Sequence, residues 1–322
     1  MDSVLRMLSD GDFVSGEAMS EALGVTRSAI WKHIRQLQAE GWPIESGGKR
    51  GYRLGPHDRL EPDVWQGTLA THAIGQGEVI YAHSLSSTNT VLKKSALEGA
   101  AHGTVCLCEE QTAGRGRMGR SWVSEPGAGL WQSVLLRPDM PPGSVSALTF
   151  CAALAMSDAL KTAAGLDAGI KWPNDLICGG KKICGILLEA CVEPQRVDYV
   201  VVGVGLNVRP EAVPPDLRGQ AGCVADFCAP PPRRVILARY LESLEKWADA
   251  CGHEGFAPVR EALLRRCLTL GRRVKVISAE ETYEAEAVDI TDRGALTVRT
   301  DGGALRQVMA ADVSVRGVMG YA

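Results

Sequence analysis

The sequence lacks the marks of a membrane, secreted or zinc-binding protein. No stretch approaches the roughly 20 apolar residues that span a bilayer, so no membrane association is expected. The N-terminus has no basic segment followed by an apolar run and a small-residue cleavage site, which predicts a cytoplasmic location. Ten cysteines are present without paired zinc-finger spacing, and histidines at ligand spacing are absent. Reduced thiols, and no metal bound by protein side chains, are therefore expected.

The composition is that of an ordinary globular protein. Of 322 residues, 45% are hydrophobic and 23% are charged, and the net charge is -3. This length suits two or three domains. We predict domains at residues 1–58, 59–270 and 271–322. The small net charge gives no global sign of a nucleic-acid partner, although charge can be segregated along the chain.

The first domain has the pattern of a winged helix-turn-helix. Ser15 is a natural N-cap for a helix that reaches Leu23, and Gly24 and Val25 form a tight turn before a second helix over residues 26–40. Two short strands are predicted within residues 44–54, joined by a glycine-rich basic turn.

Basic side chains outnumber acidic ones on the second helix and the wing. This excess predicts contacts with DNA phosphates and the groove. A packing domain that has lost DNA binding is the alternative, and Trp31 favours it because a large ring is an uncommon base reader. The predicted DNA-binding residues are Arg27, Ser28, Trp31, Lys32, Lys49 and Arg50.

The second domain alternates strand-like runs with helices, and the third consists of short strands. Periodicity predicts a mixed α+β domain followed by a small β-barrel. The predicted helices cover residues 147–164 and 233–250. The predicted strands lie at 104–109, 130–136, 183–189, 199–207, 273–277, 284–290, 296–299, 306–309 and 312–315.

A loop rich in glycine and arginine is the most conspicuous motif. Residues 114–119, here called the arginine loop, read G-R-G-R-M-G and match the pattern G-x-G-x-x-G. A dinucleotide fingerprint requires a helix after the last glycine, whereas a strand is predicted at 130–136. Three arginines, at positions 115, 117 and 120, interleaved with glycines suit phosphate or carboxylate binding. A solvated basic loop is the alternative.

Four further motifs are weak individually. The motif Lys171-Trp172-Pro173-Asn174-Asp175 is followed by Lys181-Lys182, and the lysines of these segments could together neutralise a carboxylate and a phosphate. Ser87-Thr88-Asn89 offers hydroxyl and amide groups to a small polar ring, although such hydroxyls more often cap a helix. Gly203-Val204-Gly205-Leu206-Asn207 ends a buried strand in an amide, and its glycines could serve only close packing.

Taken in this order, the motifs resemble the biotin protein ligase family over nearly the whole chain. With the winged head, the chain is similar to the bifunctional type, a ligase that also represses the biotin operon. The resemblance implies a winged helix-turn-helix, a central α+β ligase domain related to class II aminoacyl-tRNA synthetases, and a C-terminal SH3-like barrel.

The resemblance also implies roles for individual residues. The catalytic residues would be Lys182, Arg117 and Arg115, with Lys182 meeting the biotin carboxylate and the α-phosphate. Trp122 would cover the adenine, and Asp175 would help to position phosphate or Mg²⁺. Val123 and Glu125 depart from the usual pattern after Trp122. The biotin-binding residues would be Ser87, Thr88, Asn89, Gln111, Arg115, Gly116, Arg117 and Lys182, and the adenylate-binding residues would be Gly114, Gly119, Trp122, Lys171, Asn174, Asp175 and Asn207.

The implied reaction joins biotin to ATP, with Mg²⁺, to make biotinyl-5'-AMP. The biotin then passes to a lysine of a biotin carboxyl carrier domain. Repression would require a homodimer, promoted by the adenylate, on a two-fold operator. A monofunctional ligase and a purely ligand-sensing transcription factor are alternatives. The arginine-serine-triple-glycine motif of lipoate ligases is absent.

Overall fold

The computed structural model describes residues 2–278 and 281–309, and the backbone of 314–317. Seven α-helices lie in this part of the chain. Their bounds are α1 Ser3–Leu8, α2 Gly16–Leu23, α3 Arg27–Ala39, α4 Thr88–Leu97, α5 Ala147–Ala164, α6 Arg233–Glu254 and α7 Ala257–Arg266.

The described strands form three sheets, one in each predicted domain. Their bounds are β1 Ile44–Ser46, β2 Tyr52–Leu54, β3 Val79–Leu85, β4 Val105–Gln111, β5 Gly129–Leu136, β6 Gly169–Lys171, β7 Asp175–Cys178, β8 Lys181–Val192, β9 Val197–Asn207, β10 Arg273–Ile277, β11 Thr282–Ile290, β12 Leu296–Thr300, β13 Leu305–Val308 and β14 Ser314–Gly317.

The head is a winged helix-turn-helix, as predicted. The Ser15 hydroxyl accepts the backbone N–H of Ala18 at 3.0 Å and starts α2, and Thr26 caps α3 in the same way. Gly24, with φ 65°, makes the turn between the two helices. The antiparallel strands β1 and β2 form the wing, joined through a single 3₁₀ turn.

The central sheet has seven strands in the order β3-β4-β5-β9-β8-β7-β6. Only β3 and β4 pair in parallel. Helix α4 packs on one face, and α5 and α6 cover the other. Strands β5 and β9 therefore lie between two helical layers, and their long apolar runs are buried.

Helix α5 meets the length and composition of a membrane span. Among the described residues, Pro142–Ala164 is the one helical stretch that does so, and 72% of its apolar window is buried inside the fold. The sequence-based statement that no stretch approaches such a span was therefore wrong for this helix. The burial is that of a core helix packed against α6.

An ion-pair network joins the head to the central domain. The Asp58 carboxylate accepts hydrogen bonds from the backbone N–H of Arg233 at 2.6 Å and from Arg209 Nη2 at 2.6 Å. Arg233 Nη1 donates to Glu109 Oε2 at 2.7 Å and to the Gly129 carbonyl at 3.0 Å. Burial alone would lower the pKa of Arg233, but the two carboxylates raise it. The predicted boundary after residue 58 thus falls at a tightly bonded joint.

The third domain is a five-stranded antiparallel sheet, in the order β13-β12-β11-β10-β14. It packs on the central domain, where Trp172 Nε1 donates to the Gly294 carbonyl at 3.0 Å. Each predicted strand corresponds to one in the structure within a few residues. Residues 312 and 313 of the last predicted strand lie outside the described residues.

Candidate active site

A cleft of about 760 Å³ opens on the face of the central sheet where α4 begins. It lies between the N-terminus of α4, the arginine loop and strands β8 and β9. Nearly all of the residues predicted to bind biotin or adenylate line it. These are Ser87, Thr88, Asn89, Gln111, Arg115, Gly116, Arg117, Trp122, Lys171, Asn174, Asp175, Lys182 and Asn207.

Gly114 and Gly119 are the two predicted residues that do not line the cleft. They shape the arginine loop instead. A Cβ at Gly114 would lie 2.3 Å from the Trp122 carbonyl oxygen, and Gly119 has a φ of 71°. The loop contains one 3₁₀ turn, and strand β5 follows it. A dinucleotide fingerprint is therefore excluded, as the sequence predicted.

Polar groups converge where α4 meets the end of β4. Gln111 Oε1 accepts the Thr88 backbone N–H at 2.9 Å, and Gln111 Nε2 donates to Ser124 Oγ at 2.9 Å. Ser87 occupies the N-cap position of α4, but its side chain makes no capping hydrogen bond. The helix-cap alternative for Ser87 is thus wrong, and its hydroxyl belongs to the cleft lining.

Asn89 is held by the protein itself. Its Nδ2 donates to Glu189 Oε2 at 2.9 Å and to the Leu187 carbonyl at 3.3 Å, and its Oδ1 lies 2.6 Å from Ser133 Oγ. Gly203 leaves the space for this amide, since a Cβ there would lie 2.1 Å from Asn89 Oδ1. The contacts give Asn89 a positioning role within the site.

Three glycines of β8 and β9 face this side of the sheet and are here called the glycine floor: Gly185, Gly203 and Gly205. The Trp122 ring lies on two of them, because a Cβ at Gly205 would be 2.5 Å from Trp122 Nε1 and a Cβ at Gly185 would be 2.8 Å from the ring. Lys182 Nζ lies 5.1 Å from the centroid of the same ring. An aromatic ring that lies flat on the sheet and the Lys182 cation are therefore neighbours beneath the arginine loop.

The remaining charges in the cleft are mostly positive. Lys182 Nζ forms an ion pair with Asp175 Oδ1 at 2.7 Å, and these side chains are 20% and 16% exposed. Arg117 Nη1 donates to Asn174 Oδ1 at 3.1 Å. Burial lowers the pKa of Arg117, and Asp175 opposes this effect. Asp175 is the one carboxylate among the described residues lining the cleft, so an anionic ligand meets an excess of cations.

Asn207 has an oxygen without a partner. Its Nδ2 donates to the Gly222 carbonyl at 3.0 Å. Its Oδ1 is buried and accepts no hydrogen bond from the described residues. An unsatisfied buried acceptor is costly, and an N–H donor on a ligand would satisfy it.

Three family models match the chain. The helix-turn-helix domain model matches residues 1–53, the biotin/lipoate A/B protein ligase family model matches 81–207, and the biotin protein ligase C terminal domain model matches 269–316. The bifunctional ligase/repressor BirA of Bacillus subtilis is 36% identical over 310 residues, which cover 94% of each chain. This chain belongs to the biotin protein ligase family. It has the domain composition of the family's bifunctional ligase/repressors, and both activities predicted from the sequence are supported.

Two further relatives agree with this assignment of the ligase. The bifunctional ligase/repressor BirA of Escherichia coli is 29% identical over 97% of this chain and 96% of its own length. The structure of the biotin protein ligase from Aquifex aeolicus in complex with biotin and ATP has a TM-score of 0.66 and 26% identity, and it covers 74% of this chain and 99% of that chain. The predicted fold is confirmed.

The DNA-binding residues predicted for the ligase's head are all exposed on α3 and the wing. The Arg50 guanidinium lies 4.2 Å from the centroid of the Phe13 ring, and that of Arg35 lies 5.4 Å from the Trp31 ring. Trp31 is 51% exposed. The exposed set is Arg27, Ser28, Trp31, Lys32, Lys49 and Arg50.

Sequence reasoning missed three polar side chains beside the ligase's cleft, namely Ser133, Glu189 and Ser124. Ser133 is fully buried on β5, and the polar pair Gln132-Ser133 within the otherwise apolar run 130–136 was the available signal. Glu189 and Ser124 had no such signal, because their partners Asn89 and Gln111 lie 100 and 13 positions away along the chain.

Proposed function

We propose that this cleft joins biotin to ATP, giving biotinyl-5'-AMP and pyrophosphate, and then passes biotin to a lysine of a biotin carboxyl carrier domain. The observation that carries the proposal is the set of groups that one cleft brings together. The cleft is lined by hydroxyl and amide groups, by the glycine floor, by Lys182 with Arg117, and by Asn207 with its unpaired oxygen. Biotin and AMP present groups that match this set.

The biotin ring would lie against Ser87, Thr88 and Gln111. A cyclic urea offers two N–H donors and one carbonyl acceptor, and hydroxyl and amide groups can satisfy both. The aliphatic chain would pass beside the glycine floor, where the absence of side chains lets the Trp122 ring and the Asn89 amide lie directly on the backbone. The carboxylate would then reach Lys182, which also forms an ion pair with Asp175 at 2.7 Å.

The first step is attack of the biotin carboxylate on the α-phosphate of ATP. Its barrier comes largely from repulsion between anions and from poor alignment. Lys182 and Arg117 would reduce the repulsion, and Arg115 would close over the same region. Electrostatic stabilisation of the transition state by preorganised cations in a cleft with little water is usually the largest single contribution to the rate.

Magnesium would accompany the phosphates of ATP. Among the described residues, no group of three or more metal-ligating side chains is present. One carboxylate together with substrate phosphates is nevertheless a usual Mg²⁺ environment, and Asp175 fits that role. The ion would neutralise phosphate charge.

In the second step the carrier lysine attacks the acyl carbon of the adenylate, and AMP leaves. The arginine loop would exclude water that could hydrolyse the mixed anhydride. Its glycines permit such closure. Asn207 Oδ1 would accept an N–H of the adenine, and Asn174 would hold Arg117 in place.

The test of this function is covalent transfer. The protein is incubated with ATP, Mg²⁺, biotin and a carrier domain, and biotin on the carrier lysine is measured by mass spectrometry. We expect one biotin per carrier, dependent on ATP. Tight biotin binding without transfer would disprove the ligase assignment.

Arg117→Gly is expected to release biotinyl-adenylate faster without unfolding the protein. The variant loses the hydrogen bond to Asn174 at 3.1 Å and the cation above the acyl phosphate. A charged hydrogen bond contributes about 1.5–3 kcal/mol, so release should accelerate about 10- to 100-fold. Stopped-flow chase of labelled adenylate measures this rate. Unchanged retention would contradict the role of the loop.

We further propose that the adenylate promotes a homodimer that represses transcription by binding a two-fold operator. The exposed basic residues of α3 and the wing support the DNA contact. Both activities would take place in the cytoplasm. Sedimentation with and without biotin and ATP tests the dimer, and operator binding that is independent of both ligands would remove the co-repressor mechanism.

Lys49→Ala with Arg50→Ala should weaken operator binding and reduce its dependence on salt. Each phosphate contact contributes about 0.9 to the slope of log K against log [salt], so the slope should fall by about 2 for each head. Titrations between 50 and 200 mM salt measure it. Arg239→Ala, at an exposed position on α6, is the control. An unchanged slope would place the wing away from DNA.

A further inference from the structure

A chain of hydrogen bonds runs beneath the biotin pocket and ends at Thr88. It passes through Glu189, Asn89, Ser133 and Thr88, and these four residues are here called the relay. Ser133 lies on β5, one layer below the pocket, and is 0% exposed. The direction of each hydrogen bond in the relay can be worked out from which atoms carry hydrogen.

Glu189 fixes the orientation of the Asn89 amide. The Asn89 Nδ2 atom lies 2.9 Å from Glu189 Oε2 and 3.3 Å from the Leu187 carbonyl oxygen. An ionised carboxylate and a carbonyl can only accept. Lys93 forms an ion pair with the same carboxylate. Burial raises the pKa of Glu189, but the hydrogen bonds from Lys93 and Asn89 outweigh this and lower it overall. The NH₂ group of Asn89 therefore points to Glu189, and its oxygen points to Ser133.

Ser133 has one hydrogen and two oxygen neighbours. Its Oγ lies 2.6 Å from Asn89 Oδ1 and 2.7 Å from Thr88 Oγ1. The Asn89 oxygen has no hydrogen, so the first contact must use the hydrogen of Ser133. The second contact must then use the hydroxyl hydrogen of Thr88, which is donated to Ser133.

Thr88 is left as an acceptor toward the cleft. Gln111 Oε1 also lies 3.2 Å from Thr88 Oγ1, but this contact is longer, and Gln111 Oε1 already accepts the Thr88 backbone N–H at 2.9 Å. With its hydrogen directed to Ser133, the Thr88 hydroxyl presents lone pairs to the pocket that it lines.

We propose that Ser133 is a positioning residue that makes Thr88 Oγ1 a hydrogen-bond acceptor, so that the pocket selects a ring with an N–H at this point. The proposal rests on the assignment of this pocket to the biotin ring and deepens it. Ser133 touches no ligand and acts through Thr88. Asn89 and Glu189 set the direction of the relay.

Two cyclic carbamates test the relay without a change of shape. Each is biotin with one ureido N–H replaced by oxygen. In the wild-type protein, one of the two carbamates places an oxygen acceptor opposite Thr88 Oγ1. Its affinity should be at least about 100-fold below that of biotin, because a site built to bond an N–H strongly rejects an analogue that lacks it. Isothermal titration calorimetry gives the three dissociation constants.

Ser133→Ala should change the ratio of these constants. Biotin affinity should fall about tenfold, the typical loss for one buried hydrogen bond. The penalty of the disfavoured carbamate should shrink at least about tenfold, because the freed Thr88 hydroxyl can turn and donate to the carbamate oxygen. The KM for biotin should rise while kcat stays within about twofold, because the reacting carboxylate lies at Lys182.

Ser157→Ala is the matched control. Ser157 is also buried, and its hydroxyl donates to the Ala168 carbonyl at 2.9 Å, away from the cleft. This variant should keep the wild-type ratio. If Ser133→Ala does not fold, Ser133→Cys keeps a side chain of similar size with a weaker hydrogen-bond donor. Its ratio of the carbamate and biotin dissociation constants should lie between the wild-type ratio and a ratio of one.

The outcomes separate the proposal from the function beneath it. An equal loss for biotin and both carbamates in the Ser133 variants, with the ratio unchanged, would reduce Ser133 to packing and overturn the relay. Wild-type ligation with no discrimination among the three ligands would do the same and leave the ligase intact. Failure of wild type to form the adenylate would instead overturn the assigned function.

Discussion

Lys182→Gln is expected to lower kcat/KM for biotinyl-adenylate formation about 10²- to 10³-fold. Lys182 carries the cation that would lie between the biotin carboxylate and the α-phosphate, and losing one preorganised electrostatic group of this kind has a cost of that size. The variant also removes the cation that lies 2.7 Å from Asp175, so the negative charge of this carboxylate is no longer compensated where two anions must meet. Biotin-dependent exchange between pyrophosphate and ATP measures the step.

The neighbouring lysine provides the control for this experiment. Lys181 is 41% exposed and forms a long ion pair of 3.5 Å with Asp226. Exposed pairs contribute little, so Lys181→Gln should keep kcat/KM within about threefold of wild type. Equal losses in the two variants would show that general positive charge near β8 matters, and that Lys182 has no specific place in the reaction.

Arg233→Met is expected to lower the free energy of unfolding by about 3–5 kcal/mol, the range found when one member of a buried ion pair is removed. The Arg233 side chain is 4% exposed, and its partners Glu109 and Asp58 are 11% and 23% exposed. Methionine replaces the aliphatic volume and leaves both carboxylates without this partner. Urea unfolding at pH 7 gives the free energy.

Arg239→Met, on the same helix, isolates the effect of burial. Arg239 is 51% exposed and pairs with Glu242 one turn away, so its loss should change the free energy of unfolding by no more than about 0.5 kcal/mol. Because Asp58 is the last residue of the predicted head, Arg233→Met should also make the junction after the head more susceptible to proteolysis. Equal stability of the two variants would contradict the proposed importance of the joint.

Local signals in the sequence predicted much of the fold. The cap Ser15 starts α2 in the structure as expected, and the apolar periodicity of 147–164 gave the bounds of α5. Helix caps and apolar periodicity depend only on residues that are close in sequence, so each can be recognised from a single segment of the chain. The motifs likewise predicted site residues, and the fold places most of them in one cleft.

Contacts between distant strands could not be predicted in this way. Strand β3 and the short β6 and β7 have little pattern of their own and are held by pairing with their neighbours. The engagement of the Asn89 amide by Glu189, 100 positions later, depends on the order of strands in the sheet. So does the contact of Ser133 with Thr88, which no spacing along the chain reveals.

The glycine floor limits how this site can diverge. Glycine has no side chain to shorten, so any replacement at Gly185, Gly203 or Gly205 adds atoms where Trp122 or Asn89 already lies within 2.8 Å of the added Cβ. Substitution on this side can only make the pocket smaller. A descendant that accepts a bulkier acyl chain must therefore acquire its space from changes in the arginine loop, and the sheet would keep its present sequence.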